Sequence, residues 1–347
     1  FLALNTANLP TPTIADGSQY FDINKWDGNS TSRNIATTLS PDFVWIKGRS
    51  HATNHVVYDA IRGATQVMYI DTTSASRSQS TQLTAFNNNS FSLAAGNEVN
   101  LSGRTYVGYA WDGGTSTVTN NDGSIASQVR AQPIAGFSIV GWNTGGSTSN
   151  FTVGHGLNAK PSMFIIKNRD SAQDWDTYFD GFASNEVIYL NKTDAKTNVG
   201  VTVWNSVTSS VLGLRGASFG GSDSRIAYCF APVAGYSAAL SWTGNGSSDG
   251  VFVHTGFRVA WMLWKKSNGT ANWYIYDSAR NTYNVVNDNL EPNTSDTERT
   301  LTSMNVDFLS NGVKIRGSDG DINGSGGTYI GFAFAENPFQ ANGGLAR

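Results

Sequence analysis

The most constraining feature of this sequence is a phrase that is written three times. Its copies are Pro41–Gly63, Pro161–Gly181 and Val259–Arg280. Each copy holds a lysine after an apolar run and a tyrosine in a second apolar run: Lys47, Lys167 and Lys265, then Tyr58, Tyr178 and Tyr276. Both markers are separated by 120 residues between the first two copies and by 98 between the last two. Two markers with equal offsets predict a chain built from three tandem repeats.

Each repeat has the pattern of short strands joined by turns. Near its start, apolar and polar residues alternate up to a tryptophan that precedes a Gly/Asn/Ser turn. The lysine strand is a continuous apolar run, typical of a strand buried on both faces, and the last segment, such as RTYVGYAWD, alternates strictly. The predicted fold class is therefore all-β, with three tandem homologous β-sandwich-like repeats of roughly 100 residues.

The turn-rich stretches between the repeats set the predicted boundaries. They are an N-terminal linker at 1–18, repeat 1 at 19–115, a linker at 116–134, repeat 2 at 135–233, repeat 3 at 234–340 and a C-terminal tail at 341–347. Repeats 2 and 3 are joined only by APVAG, which predicts that these two form a compact pair. The chain begins at Phe1 without the basic and apolar regions of a signal peptide, so we expect it to continue a longer polypeptide.

Composition narrows the classes of partner. Charged residues make up 14% of the chain, against about 25% in an average protein. The net charge is −3 and no basic run alternates with aromatic residues, so nucleic acid is disfavoured as a partner. No apolar run reaches the roughly 18 residues of a membrane span, so membrane insertion is not expected. The one cysteine, Cys229, lies in an apolar segment and is predicted to be a buried core residue.

Histidine and aspartate offer little catalytic chemistry. The histidines form no HExxH or HxH motif and, with one cysteine, no zinc cluster is available: His51, His55, His155 and His254. Asp174, Asp176 and Asp180 surround Trp175 and could form the carboxylate pair of a glycosidase, which needs a separation of about 5–9.5 Å. The alternation DWDTYFD is described more simply as a half-buried strand with solvated edges. We therefore assign no catalytic residue.

An acidic turn near the C-terminus has the form of the first half of a calcium loop. Asp319, Asp321 and Asn323 have the D-x-D-x-N-G spacing. The twelfth position is Ile330 instead of the glutamate that such loops use, and it belongs to the closing strand. A tight turn is the simpler interpretation, so these residues are only a weak calcium candidate, and no cofactor is predicted.

Aromatic residues beside polar turns are the strongest functional lead. Flat rings flanked by Asn, Asp and Ser are typical of sugar recognition, because the C–H face of a pyranose stacks on a ring while amides bind its hydroxyls. The alternative is that a ring present in every repeat fills the same hole in three cores. The candidate ligand-binding residues are His55, Asp174, Trp175, Asp176, Asn272 and Trp273 before the tyrosine strand, and Trp26, Trp142 and Trp242 at the opening strand. The loop between the lysine and tyrosine strands differs in every repeat, as SHATNH, DSAQDW and SNGTANW, and is where we expect binding.

The order of several long motifs resembles a known protein family. The motifs are PDFVWIKGRS, SGRTYVGYAWDGG, GFSIVGW, PSMFIIKNRDSAQDW, AYCFAPVAGYS, NWYIYDSARNTYNVV and GGTYIGFAFAENPF. Together they are similar to virion proteins of tailed phages, common among marine phages including those of cyanobacteria, that are described as tail-fibre or structural proteins. In that family the segment ALNTANLPTPTI commonly follows a SPRY-like or concanavalin-like domain. The resemblance implies a virion location, and it supplies no catalytic residue or cofactor.

The resemblance and the aromatic pattern lead to one expected function and two alternatives. We expect a structural protein of the phage particle, on the tail fibre or capsid surface, that adheres to host cell-surface polysaccharide and contacts other virion proteins. Phage fibres are commonly homotrimers, so a homotrimer with avidity from linked weak sites is expected. The alternatives are a capsid decoration or head-fibre protein, and a glycan depolymerase that uses Asp174, Asp176 or Asp180.

Overall fold

The computed structural model describes residues 13–336 and is all-β. Within that range the single α-helix is Gly216–Phe219 (α1), and short 3-10 turns occur at Gly17–Gln19 and Thr302–Met304. No helix in this part of the chain is long and apolar enough to cross a bilayer. Most of the predicted N-terminal linker, residues 1–12, and the predicted tail at 341–347 lie outside the described residues.

The first structural unit has two antiparallel sheets. Its strands are Phe21–Asp27 (β1), Arg33–Ala36 (β2), Phe43–Gly48 (β3), Val56–Asp59 (β4), Gln66–Tyr69 (β5), Arg77–Ser78 (β6), Leu83–Asn87 (β7), Ser90–Leu93 (β8) and Thr105–Trp111 (β9). The large sheet has the order β1-β9-β3-β4-β5-β6, and the small sheet has the order β2-β8-β7. Strands β3 and β4 are buried along their whole length, as their continuous apolar runs predict.

The second unit uses the same order and adds two strands at one edge. Its strands are Val118–Asn120 (β10), Ser127–Gln132 (β11), Phe137–Trp142 (β12), Phe151–Gly154 (β13), Met163–Asn168 (β14), Asp176–Phe179 (β15), Glu186–Tyr189 (β16), Thr197–Asn198 (β17), Trp204–Val207 (β18), Val211–Leu214 (β19) and Arg225–Phe230 (β20). The sheets run β10-β11-β12-β20-β14-β15-β16-β17 and β13-β19-β18. Because β10 and β11 come from 116–134, that segment is part of the sheet and not the free linker that its turn residues predict.

The third unit completes the series. Its strands are Ser237–Thr243 (β21), Phe252–His254 (β22), Val259–Lys266 (β23), Trp273–Asp277 (β24), Asp288–Asn289 (β25), Arg299–Thr300 (β26), Val306–Leu309 (β27), Gly312–Ile315 (β28) and Thr328–Ala335 (β29). The large sheet is β21-β29-β23-β24, the small sheet is β22-β28-β27, and β25 pairs with β26. The four central strands of the large sheet and the three strands of the small sheet therefore have one order in all units.

The structure has two kinds of apolar core, one within each unit and one shared by the three units. Each unit is a sandwich with its own core between the large and small sheets, and Cys229 is fully buried in the unit-two core, as predicted. A further core contains residues of all three large sheets. At its centre, the equivalent residues Trp111, Phe230 and Phe334 form a triangle with ring-centroid separations of 6.4, 6.2 and 5.9 Å. The three units therefore pack around a common axis.

The seams between neighbouring units use equivalent backbone hydrogen bonds. In each seam the loop after the lysine strand donates to a carbonyl of another unit. The bonds run from Thr53 N to Ser295 O (2.9 Å), from Gln173 N to Thr73 O (2.9 Å) and from Ala271 N to Thr193 O (3.0 Å). Unit one bonds to unit three, unit two bonds to unit one, and unit three bonds to unit two. The three units therefore form a closed ring. Units two and three are thus not the separate compact pair that their short connection predicts.

The three marker lysines donate hydrogen bonds across the same seams. Each buried ammonium donates to the carbonyl six residues later and to the seam carbonyl of the neighbouring unit. The acceptors are Thr53 O and Ser295 O for Lys47, Gln173 O and Thr73 O for Lys167, and Ala271 O and Thr193 O for Lys265. Burial lowers the pKa of each of the three lysines to about 8. The repeated lysine is therefore a ring-closing residue.

Candidate functional site

The tryptophans predicted to bind ligand before the tyrosine strand lie in the seams. Trp175 and Trp273 are only 1% and 0% exposed. The indole nitrogen of Trp175 donates to Tyr69 O of unit one at 3.0 Å, and that of Trp273 donates to Tyr189 O of unit two at 2.9 Å. Both rings face another unit and offer no face to a sugar, which corrects the prediction in favour of its core-filling alternative.

His55 occupies the equivalent position in unit one and is also buried. Its Nδ1 accepts a hydrogen bond from Trp45 Nε1 at 3.0 Å, and the backbone carbonyl of Glu291 in unit three faces the ring. Burial, with the nearby charges of Lys47 and Arg280, lowers the pKa of His55 well below its usual value. His55 is therefore a neutral seam residue and not an accessible ligand-binding residue.

The tryptophans at the ends of the opening strands fill the three sandwich cores. All three are buried, in the cores of units one, two and three respectively. Their indole nitrogens each donate to a backbone carbonyl: Trp26 to Val99 O (2.8 Å), Trp142 to Phe219 O (3.2 Å) and Trp242 to Ile322 O (3.0 Å). A ring with both faces packed cannot stack on a sugar, so this part of the prediction is also corrected.

The remaining polar candidates hold the loops in place. Asp174 accepts from Lys192 Nζ at 2.6 Å and from Asn191 Nδ2 at 2.9 Å. Asn272 donates to Glu291 Oε2 at 2.9 Å in the equivalent loop of unit three. Within SHATNH, Ser50 is exposed whereas Thr53 is buried in the seam, so the variable loops are only partly available to a ligand.

The three aspartates around Trp175 are not brought together as one group. Asp180 lies beyond the far end of β15, paired with Lys160, about 13 Å along the strand from Asp176. Burial and the neighbouring Asp174 raise the pKa of Asp176 to about 7. Asp174 and Asp176 therefore remain adjacent carboxyls at one strand end, whereas Asp180 is separate from them.

The acidic turn near the C-terminus is organised by the side chain of an asparagine. The buried Asn323 uses its amide nitrogen to bind Asn245, Ser247 and Gly317, and Asn100 makes the equivalent contacts in unit one. Asp321 accepts from Tyr274 and Asp319 accepts from Ser303. Among residues 13–336, no group of three or more His, Cys, Asp or Glu side chains is arranged to hold a metal ion. The geometry is that of a tight turn.

Strongly exposed aromatic residues occur in unit three. In the described part of the chain, the exposed large apolar residues are Val118, Ile134, Val201, Phe252, Tyr283 and Val285. The two aromatic ones, Phe252 and Tyr283, are 44% and 85% exposed, and Val285 is 41% exposed. Exposed apolar groups that cluster on one surface are typical of interaction sites.

Phe252, Tyr283 and Val285 border one surface, the outer side of the small sheet of unit three. Phe252 pairs in register with Lys314, and Lys314 pairs with Asp307. In the next row His254 pairs with Gly312. We call the surface formed by Phe252, His254, Gly312, Lys314, Asp307 and Val285 the unit-three face. The ring of Phe252 lies over Gly312, where a Cβ atom would come within 2.5 Å of the ring.

A loop that is longer than in the other units completes this face. Val286 and Val306 exchange backbone hydrogen bonds of 2.8 and 3.0 Å along the edge of β27. The side chain of Asn284 bonds to both Phe308 N and Phe308 O, at 2.8 and 3.1 Å. Since Val286 is buried in the sandwich core, the alternating direction of side chains in an extended segment places Val285 on the outer face. The segment thus acts as a fourth strand, with Tyr283 just before it.

Each charged side chain of the unit-three face is paired with an oppositely charged neighbour beside the face. Lys314 Nζ lies 2.8 Å from Asp249 Oδ1, and Arg316 Nε lies 2.6 Å from Asp307 Oδ2. The face therefore combines an exposed aromatic ring with neutralised polar groups.

The equivalent surfaces of the other units lack these features. In unit one the row is Asn34, Ser92 and Ala85, and Ser92 Oγ donates to Asn34 Oδ1 at 2.8 Å. In unit two the row begins with Thr152, whose hydroxyl accepts from Ser124 N at 2.8 Å. Unit three alone has acquired an exposed aromatic residue at this place.

Sequence reasoning missed the unit-three face because it considered recurring tryptophans. The available signal was the alternation in GVFVHTGF, which puts Phe252 and His254 on the side opposite the buried Val253. A second signal was the uncharged segment NTYNVVN, which has an aromatic residue in a turn.

Comparisons with known proteins identify a family without describing its activity. No curated protein gives a significant match. Residues 16–338 match the family described as DUF7483, a domain of unknown function. This match spans all three units and most of the sequence, and the chain therefore belongs to the DUF7483 family.

Proposed function

We propose that this chain is a structural protein of a phage particle whose unit-three face adheres to polysaccharide on the host cell surface. The resemblance of its motifs to tailed-phage virion proteins supports the assignment to a phage particle. The observation that carries adhesion is the exposure of Phe252 and Tyr283 at a surface that is polar in units one and two. An exposed ring among hydrogen-bonding groups suits a sugar, which has apolar C–H faces and hydroxyl edges.

Local hydrogen bonds within unit three support this function by fixing the face in place. Val286 and Asn284 hold the added segment on β27 by backbone and side-chain hydrogen bonds. A surface that is already ordered loses little conformational entropy when it binds, and this favours affinity at a small site. In a homotrimer three such faces would act together, so weak sites would gain avidity.

Binding to whole cells tests adhesion. We expect the wild-type protein to bind host cells, and Phe252→Ala to bind at least about tenfold more weakly because a stacked aromatic anchor is lost. Ile134→Ala is the matched control, since Ile134 is also exposed but lies away from the face. Equal binding to host and non-host cells, or unchanged binding of Phe252→Ala, would overturn the proposal.

The position on the particle tests the virion assignment. Gold-labelled antibodies against this chain should mark the tail fibre of purified particles. Label on the capsid lattice would instead support a decoration or head-fibre protein, and particles without label would remove the virion assignment. Release of reducing ends from host polysaccharide, abolished by Asp176→Asn, would replace adhesion by depolymerase activity.

A further inference from the structure

We infer that the unit-three face selects uncharged saccharide chains over anionic ones. This inference rests on the proposed function and names the class of ligand for the same face. Its starting point is that the face is polar without carrying a free excess of either charge.

The first argument is electrostatic. The positive charge of Lys314 is matched by Asp249, and that of Arg316 is matched by Asp307. A uronate or sulfate group that contacts Lys314 or Arg316 meets a charge that a carboxylate already offsets, and its own charge then lies close to Asp249 or Asp307. Like charges brought together at an interface suppress binding of the wrong partner. Anionic saccharides therefore find no net attraction at this face.

The second argument is hydrogen-bonding capacity. An ammonium has three donors, and Lys314 uses them on Asp249 and Gly250 O, which leaves one donor free. A carboxylate has about four lone-pair sites, and Arg316 occupies only part of those on Asp307. The paired groups can therefore still bind hydroxyls, which both donate and accept, without breaking either ion pair.

The third argument is shape. Phe252 and Val285 lie on opposite edges of the face, separated by three interstrand spacings, or roughly 14 Å. A single sugar cannot contact both edges. A chain of sugars that runs across the strands can stack on Phe252 at one end and pack against Val285 and Tyr283 at the other.

Paired saccharides that differ only in charge test the inference. An array should carry neutral oligosaccharides together with oligogalacturonate and its fully methyl-esterified form. We expect the protein to bind neutral members, with the methyl ester preferred to the free acid, and binding to change little up to about 1 M NaCl, where the Debye length is about 3 Å. Phe252→Ala should weaken this binding about tenfold or more.

The variant Asp249→Asn sharpens the test, because it removes the carboxylate that offsets the charge of Lys314 by changing a side chain that is 85% exposed. This variant should shift the preference toward the free acid and make binding sensitive to salt. Tighter, salt-sensitive binding of the free acid by the wild-type protein would overturn the inference and leave adhesion intact. If the protein binds neutral oligosaccharides and Phe252→Ala does not weaken this binding, the unit-three face is not the binding site. Absence of binding to every array member and to host polysaccharide would overturn both.

Discussion

Two of the three seams bury a hydrogen-bonded tyrosine, aspartate and arginine, whereas the third has phenylalanines at the equivalent positions, two of them buried and Phe182 partly buried. Between units two and one, Tyr228 donates to Asp59 at 2.7 Å, and between units one and three, Tyr109 donates to Asp277 at 2.9 Å. Each aspartate also pairs with an arginine of its own unit, with both side chains fully buried. Between units three and two, the corresponding residues are Phe332, Phe179 and Phe182.

The comparison teaches that the three positions behave as one set. A tyrosine without its aspartate would leave a buried hydroxyl unpaired, at a cost of about 1–3 kcal/mol. A buried aspartate or arginine without its partner would cost more. A seam is therefore stable with all three polar residues or with none. The lysine contact, in contrast, is present in every seam, so it does not depend on which set fills the space beside it.

Breaking one polar set should have the largest effect on stability. Arg62→Met leaves Asp59 buried without its cationic partner, so the free energy of unfolding should fall by about 3–5 kcal/mol. The matched change Phe182→Met exchanges one apolar residue for another and should cost less than about 1.5 kcal/mol. Urea unfolding measures both, and equal losses would show that the two kinds of seam do not differ as described.

Moving part of the polar set into the phenylalanine seam should have an intermediate effect. Phe332→Tyr places a hydroxyl in an apolar region and should lower stability by about 1–3 kcal/mol. Adding Phe179→Asp and Phe182→Arg should recover part of this loss, with a coupling of about 0.5–3 kcal/mol among the three sites. Strict additivity of the single changes in a mutant cycle would contradict the idea that they act as a set.

Raising the pH should stabilise the fold by removing the cost of burying the lysine charge that all seams share. Lys47, Lys167 and Lys265 have pKa values lowered to about 8, so between pH 8 and 10 the unfolded chain binds more protons than the folded one. Stability should therefore rise with pH in this window, by on the order of 1 kcal/mol per lysine. Above about pH 10 the trend reverses, because burial raises the pKa of Tyr58 and Tyr109 and favours their ionisation in the unfolded chain.

Melting temperatures across this pH range check the prediction. Each of the three Lys→Met variants should remove about one third of the rise, since the lysines have equivalent partners. A rise that depends on one lysine alone would show that the seams are not equivalent at this position.

The smallest effect on stability is expected on the unit-three face. Phe252→Ala and Tyr283→Ala remove exposed side chains and should change the free energy of unfolding by less than about 0.5 kcal/mol. Trp273→Ala, in a seam, should cost about 3–5 kcal/mol. Thermal unfolding of the three variants separates the surface role from the seam role, and a large loss for Phe252→Ala would place that ring in the scaffold.

The sequence predicted the strands well and the ligand-binding residues poorly. Alternating and continuous apolar runs report which residues are buried in a strand, so the lysine and tyrosine strands could be located from local pattern. The same pattern does not report what covers the other side of a residue. Trp175 therefore had the same local signature whether it faced solvent or unit one, and the hydrogen bond to Tyr69 decided the outcome.

By itself, the sequence determined the all-β class, the three marker lysines and the burial of Cys229, because these follow from residue spacing and from side-chain periodicity along a strand. Only the tertiary structure decided that the units close into a ring and that Phe252 is left outside it. Ring closure depends on contacts between residues far apart in the chain, such as Thr53 with Ser295. Contacts of that kind are selected by the packing of whole sheets, which no local stretch of sequence contains.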